Sequence, residues 1–181
     1  MVDFIQESDL IAGVKIATLR EFADERGVFS EVFRHEWFPE VSWDKLQSNR
    51  SISKANVLRG LHYHFKQVDY WYVPQGTIRA GLLDLRPSSP TYRQTQTVDM
   101  GGENNVGLFI PIGVAHGFYA LSDCTLVYYV NNYYDNSDEF GVAWNDPAIN
   151  LDWGNTGEPL ISERDVLNPL IADIPADIMP K

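Results

Sequence analysis

Eight short runs rich in β-branched and aromatic residues, each bounded by Gly, Pro, Asn or Asp, constrain this chain more than any other feature. They are "GVKIATL", "GVFSEVF", "NVLRGLHYH", "VDYWYVP", "TIRAGLLDLR", "RQTQTVDM", "VGLFIP" and "CTLVYYV". Such spacing predicts short antiparallel strands in a closed or sandwiched sheet. In "RQTQTVDM" the alternation sets Thr95, Thr97 and Asp99 opposite Gln94, Gln96 and Val98, with neither face strongly apolar, which predicts an edge strand. Helices are expected to be few and short. "HEWFPEV" is interrupted by Pro39, and "SERDVLNPLI" supplies a turn or two before Pro169. There, Ser162 followed by Asp165 fits an N-cap with an acid three residues on. No repeat of fixed period points to a solenoid.

The 181 residues suffice for one core that buries roughly 70% of the unfolded chain's surface. We therefore expect one domain over residues 1–181, with a core at about 15–155 and a helical segment at 156–181 packed on it. The net charge of −11 argues against a nucleic-acid or anionic-membrane binder, since either needs a basic face. A small phosphorylated ligand remains compatible if basic residues gather locally. Cys124 is the single cysteine and reads as a half-buried strand thiol, so no intrachain disulfide forms. "MVDFIQESDL" lacks a basic region followed by an apolar one, and no apolar run approaches the roughly 20 residues of a membrane span. A soluble, cytoplasmic protein is expected.

Two punctuated segments carry histidines. "VLRGLHYHFKQVDYWYVPQG" holds His62 and His64, and "IPIGVAHGF" delivers His116 after a tight turn at Pro111 and Gly113. In a jelly roll both strands reach one barrel mouth, where His62, His64 and His116 would converge. His116 also suits a core histidine that holds its turn, and His35, beside Trp37, is assigned to the surface. Asn145 and Asp146 in "WNDP" read as turn formers with Asx-type hydrogen bonds.

"DERGVFSEVF", "QSNRSISKANVLRGLHYH", "QGTIRAGLLDLRPSSPTY", "IPIGVAHGF", "YYVNNYY", "WNDPAINLDW" and "ISERD" together resemble, in order, the dTDP-4-dehydrorhamnose 3,5-epimerase family. The resemblance runs over most of residues 15 to 170. It implies an all-β cupin jelly roll with a few short helices, usually a homodimer, that uses no metal or other cofactor. It further implies proton movement on a nucleotide-diphosphate sugar with a 4-keto-6-deoxy ring. The ketone acidifies the hydrogens on carbons 3 and 5, so a base on one face and an acid on the other invert a centre through an enolate. By motif position the resemblance makes His62 the base, Asp165 its partner and Tyr128 the acid. Histidine, with a reference pKa of about 6.5, suits the first task, and a neutral phenol suits the last. Arg26 and Arg59 match positions that meet the diphosphate, while Glu31, Gln47, Asn49 and His116 match further pocket positions. Arg26 alone also reads as a turn residue paired to Asp24 or Glu25.

The chain departs from the family at His64, where Gln is common, at Asp69, where a lysine is thought to steady the enolate oxygen, and at Ala80, where an acid is common. Either another donor serves, such as Lys66 or a tyrosine, or Asp69 is turned away, or the chemistry differs. The same changes produce a His62, His64, Asp69 and His116 pattern close to the two motifs of metal-dependent cupins, with Asp for their Glu. Strand period two lets His62 and His64 share a face only if no bulge intervenes. A metal-dependent cupin is thus the second reading, and a non-catalytic nucleotide-sugar binder the third.

Overall fold

The computed structural model describes residues 4–180, so the outermost positions of the 1–181 unit lie outside it. Thirteen strands account for nearly all the regular structure: β1 (Ile5–Glu7), β2 (Lys15–Thr18), β3 (Glu21–Asp24), β4 (Gly27–Ser30), β5 (Gln47–Ser53), β6 (Leu58–Tyr63), β7 (Asp69–Gln75), β8 (Thr77–Asp84), β9 (Thr95–Gly101), β10 (Val106–Ile110), β11 (Val114–Ala120), β12 (Cys124–Val130) and β13 (Phe140–Gly141). Among the described residues one α-helix, α1 (Glu163–Val166), and four 3-10 turns complete it. A six-stranded sheet in the order β1-β2-β10-β7-β12-β5 faces a five-stranded sheet in the order β13-β6-β11-β8-β9, and β3-β4 form a separate hairpin. The expected jelly roll is present, and β9 is an edge strand. None of the helices is long and apolar enough to cross a membrane among the described residues.

Three apolar clusters fill three layers, because alternate side chains of each strand leave on opposite faces. Between the sheets lie Trp71, Val73, Ile78, Met100, Leu108, Phe118 and Leu126, among others. The outer face of the five-stranded sheet, with Leu58, Leu61, Tyr63 and Leu83, is covered by Ile149, Trp153, Ile171 and Ile174 from the last forty residues. Tyr70 and Phe109 on the outer face of the other sheet pack against Phe33, Phe38 and Trp43. Asp146 ties this cover down: Oδ1 accepts the Ala148 N–H at 2.8 Å in an Asx turn, and Oδ2 accepts the Ile171 N–H at 2.6 Å. Cys124 is buried, more fully than its alternating strand context predicts.

"GVFSEVF" is a strand only over Gly27–Ser30. Beyond it the chain leaves the hairpin to pack on the large sheet, where Phe33 stacks on Tyr129 at 4.5 Å and the Val32 carbonyl accepts the Tyr70 hydroxyl at 2.8 Å. At the end of β8, fully buried Asp84 organises the following turn. Its carboxylate accepts from Arg86 Nε and Nη2, both at 2.8 Å, from Ser89 Oγ at 2.6 Å and from Thr91 Oγ1 at 2.7 Å.

One irregularity sets the pocket. Opposite β11, His62 pairs with His116 but Arg59 pairs with Phe118, so three steps on β6 oppose two on its partner. The extra residue is a bulge at Gly60. It lets Leu58, Leu61 and Tyr63 stay on the outer face while Arg59, His62 and His64 all turn inward. Gly60 has φ +117°, and a Cβ there would lie 2.6 Å from Gly117 Cα and 2.8 Å from the His116 carbonyl oxygen, both backbone atoms.

Gly60→Ala is therefore expected to cost about 2 kcal/mol in backbone strain, a fall in Tm of about 4–8 °C for a chain of this size. A calorimetric Tm within about 1 °C of wild type would contradict a bulge that only glycine fits. Asp84 gives a pH prediction. Burial pushes its carboxyl up, but the Arg86 fork and the two hydroxyls outweigh it and hold the folded pKa below the ordinary value of 3.8. Stability from Asp84 is thus full above that value and is lost as pH falls through the lower folded one. Urea unfolding should show Asp84→Asn less stable at pH 7, with the gap shrinking in acid; a gap that widens below pH 3.8 would contradict this.

Candidate active site

A cavity of about 320 Å³ opens between the two sheets. From the five-stranded sheet and the residue after β6 come Arg59, His62, His64 and His116; from the six-stranded sheet come Gln47, Asn49, Asp69, Trp71 and Tyr128. The 134–139 stretch and the start of α1 close the mouth with Tyr134, Asp135, Glu139, Arg164 and Asp165.

His62 and Asp165 meet directly, with Nε2–H donating to Asp165 Oδ1 at 2.7 Å. The second carboxylate oxygen accepts the Gly60 N–H at 3.2 Å, so the bulge and the dyad are joined. Asp165 is itself placed by the helix cap: its backbone N–H donates to Ser162 Oγ at 3.1 Å. Burial raises its pKa, but the His62 ring and the Gly60 N–H prevail, so the group is held below the usual carboxylate range. A carboxylate on Nε2 fixes the tautomer and leaves the His62 lone pair on Nδ1. That nitrogen lies 3.9 Å from Glu139 Oε1, which is also paired to Arg164 Nη1 at 3.0 Å. Sequence reasoning missed Glu139. Its approach depends on the fold of the 136–138 turn, and "NSDEF" carries no spacing that signals it.

Tyr128 lines the cavity, whereas Tyr129 leaves on the other face, against Phe33 and Tyr70. Burial, together with the nearby Asp69 and Glu139, pushes the Tyr128 phenol above its ordinary pKa, so it carries its proton at neutral pH. On β5, Gln47 Nε2 donates to Asn49 Oδ1 at 2.9 Å. Arg59 Nε donates to Ser53 Oγ at 3.1 Å, and the residue lines the cavity. Arg26 and Glu31 are elsewhere in this chain: Arg26 forks onto Asp24 on the exposed hairpin, and Glu31 pairs with Arg34. Lys66 also lies outside the lining, 3.7 Å from Asp135, and is not the expected donor in the cavity.

The four-residue metal pattern is not assembled as the sequence suggested. His64, Asp69 and His116 bring one ligand atom each to within 4.8 Å of one another, but His62 is not among them, because its Nε2 belongs to Asp165. The Gly60 bulge precedes His62 rather than separating it from His64, so both rings still face the cavity. His116 is buried beside Trp71, and that burial lowers its pKa to about 4.

Comparison with known proteins supplies the family. The family described as dTDP-4-dehydrorhamnose 3,5-epimerase matches residues 9–173. A Sinorhizobium fredii protein named dTDP-4-dehydrorhamnose 3,5-epimerase is 36% identical over 172 residues, 91% of this chain and 88% of that protein. One of the same name from Shigella flexneri is 38% identical over 86% of this chain and 90% of its own. Among solved structures, the dTDP-6-deoxy-D-glucose-3,5-epimerase of Legionella pneumophila, in complex with dTDP-4-keto-L-rhamnose, superposes with a TM-score of 0.91 at 33% identity, covering 98% of this chain and 97% of that one. A 3'-monoepimerase from Streptomyces bikiniensis, in complex with dTDP-quinovose, gives 0.86 at 30% identity over 92% and 88%. With a double-sheet fold, a histidine–aspartate pair at the bulge and relatives alike over nearly their whole length, this chain belongs to the dTDP-4-dehydrorhamnose 3,5-epimerase family.

Proposed function

We propose that this chain is an isomerase that inverts carbon 3, carbon 5 or both of a dTDP-linked 4-keto-6-deoxy sugar, with His62 as base and Tyr128 as acid. The observation that carries the reading is that the two groups enter one cavity from opposed sheets, His62 on β6 and Tyr128 on β12. A flat sugar ring between them presents one face to each. His62 Nδ1 takes the proton from the carbon next to the ketone, the electron pair moves onto the ketone oxygen as an enolate, and the Tyr128 hydroxyl returns a proton to the other face. Solvent then resets both groups. Asp165, ionised on Nε2–H, stabilises the imidazolium as it forms, and Glu139 near Nδ1 adds to that field.

Arg59, which lines the cavity, serves as a diphosphate contact, since a planar fork matches phosphate oxygens. Gln47, Asn49 and His116 complete the sugar and nucleotide pocket in this reading. The working form is a homodimer. Support comes from the β3-β4 hairpin, which exposes Phe22, Val28 and Phe29 at 48, 61 and 68% while standing apart from both sheets. Arg26 and Glu31 travel with that hairpin, and docking it on a second copy would give them a pocket that their own chain does not. Residues 1–181 then act as one domain, with the 156–181 stretch packed on the core.

Two variants test the roles by proton NMR in heavy water. His62→Asn should cut hydrogen exchange at carbons 3 and 5 by about 100-fold or more, the usual scale of general-base catalysis. Tyr128→Phe should still exchange these hydrogens but return deuterium mainly to the original face. Unchanged exchange in the first variant, or full inversion by the second, would contradict the assignment.

A further inference from the structure

Three electron-pair donors converge beside the proposed base with little to satisfy them. His64 Nδ1 lies 2.7 Å from the Asp138 carbonyl oxygen, and His116 Nδ1 lies 2.9 Å from that of Val114. A carbonyl only accepts, so each Nδ1 bears the hydrogen, and in the neutral imidazole each Nε2 then bears a lone pair. Asp69 adds a carboxylate, with Oδ2 at 3.9 Å from His116 Nε2. Its oxygens take one hydrogen bond each, from Gln67 Nε2 at 2.8 Å and Trp71 Nε1 at 3.1 Å, which leaves further lone pairs on both. The Gln67 amide also stands 3.4 Å from His64 Nε2, a weak contact. Two lone pairs and an anion, within 4.8 Å of one another and almost wholly buried, repel one another, and a cation among them relieves that repulsion.

The charge of the cavity points the same way. Its lining carries Arg59 and Arg164 against Asp69, Asp135, Glu139 and Asp165, an excess of two negative charges with the histidines neutral. An anionic nucleotide sugar entering such a site needs added positive charge.

We propose that His64, Asp69 and His116 bind a divalent first-row transition ion. Two imidazoles and one carboxylate suit zinc, cobalt, nickel or ferrous iron. Carbonyls behind both rings are the outer partners that fix imidazole ligands in such sites. Closing the ligand atoms around an ion at ~2.1 Å needs movements on the order of 1 Å or less. His62 is not a ligand; held by Asp165, it stays free as the base, directly across the strand pair from His116. Three protein ligands leave positions open toward the cavity, so the ion supplies positive charge where the enolate oxygen develops. That last use rests on the epimerase reading, whereas the binding does not.

The test is made without substrate, so its failure and that of the epimerase reading are separable. Chelator-treated full-length chain is titrated with zinc chloride by calorimetry and with cobalt chloride by visible absorption. One saturable equivalent per chain is expected, with d–d bands shifted from those of aqueous cobalt. Asp69→Asn and His64→Gln should each weaken zinc binding by about 100-fold or more, since loss of a partner merely behind a ligand already costs ~10–100-fold. His62→Asn should bind zinc as wild type does while losing hydrogen exchange. Melting curves establish that each variant is folded, and if Asp69→Asn does not fold, the less buried His64→Gln decides. Absence of saturable binding, or binding that survives the folded ligand variants, would overturn the site.

Discussion

Alternate side chains of a β-strand leave on opposite faces, and on β6 that rule is broken at Gly60, where the cavity needs it. Without the Gly60 bulge, Arg59 and His62, three residues apart, would face opposite ways. With it, both turn inward while Leu58, Leu61 and Tyr63 keep the outer core. The same residue donates its N–H to Asp165, the acid that holds the His62 ring. The proposed phosphate contact, the proposed base and the partner of that base therefore depend on one glycine lying against Gly117 of the neighbouring strand. On the facing sheet the pairing of β12 with β7 shifts register between Thr125 and Val127, and from Val127 to Val130 the alternation is regular, which selects Tyr128 over Tyr129 for the cavity.

Strands were the legible part of the sequence, because half-buried strands announce themselves by period and punctuation. The Ser162 cap was legible for a similar reason: side chain and N–H partner are three residues apart. Long-range meetings were not. His62 and Asp165 are 103 residues apart, and no local pattern joins them; the ordered family motifs made that pair readable. Glu139 had no such motif and reached the site through the 3-10 turn at Asn136–Asp138, which no local spacing signals. "GVFSEVF" misled because its aromatics serve two surfaces, Phe29 in the hairpin and Phe33 on the large sheet. Arg26 and Glu31 matched pocket positions by motif, yet a single chain keeps them on and beside the hairpin, away from its own cavity.

Electrostatics separates the two halves of the cavity. At the dyad each carboxylate has its partner: Asp165 accepts the His62 N–H, and Glu139 pairs with Arg164. Across the cavity on β7, Asp69 faces two imidazole lone pairs, with only neutral donors for company. The first half is suited to moving protons, since its imidazolium is stabilised as it forms. The second half is suited to holding a fixed positive charge against a developing negative one. Both serve a single reaction if the ketone oxygen points to the second while the carbon–hydrogen bond points to the first.

The central claim is one of placement, that base and acid address opposite faces of one sugar ring, and a crystal structure of the chain with a dTDP-linked 6-deoxy sugar measures it directly. The account predicts His62 Nδ1 and the Tyr128 hydroxyl oxygen on opposite sides of the ring, each about 3–3.5 Å from carbon 3 or carbon 5, the spacing of a near-attack geometry. Both groups on the same face, or a sugar ring outside the space between β6 and β12, would contradict it.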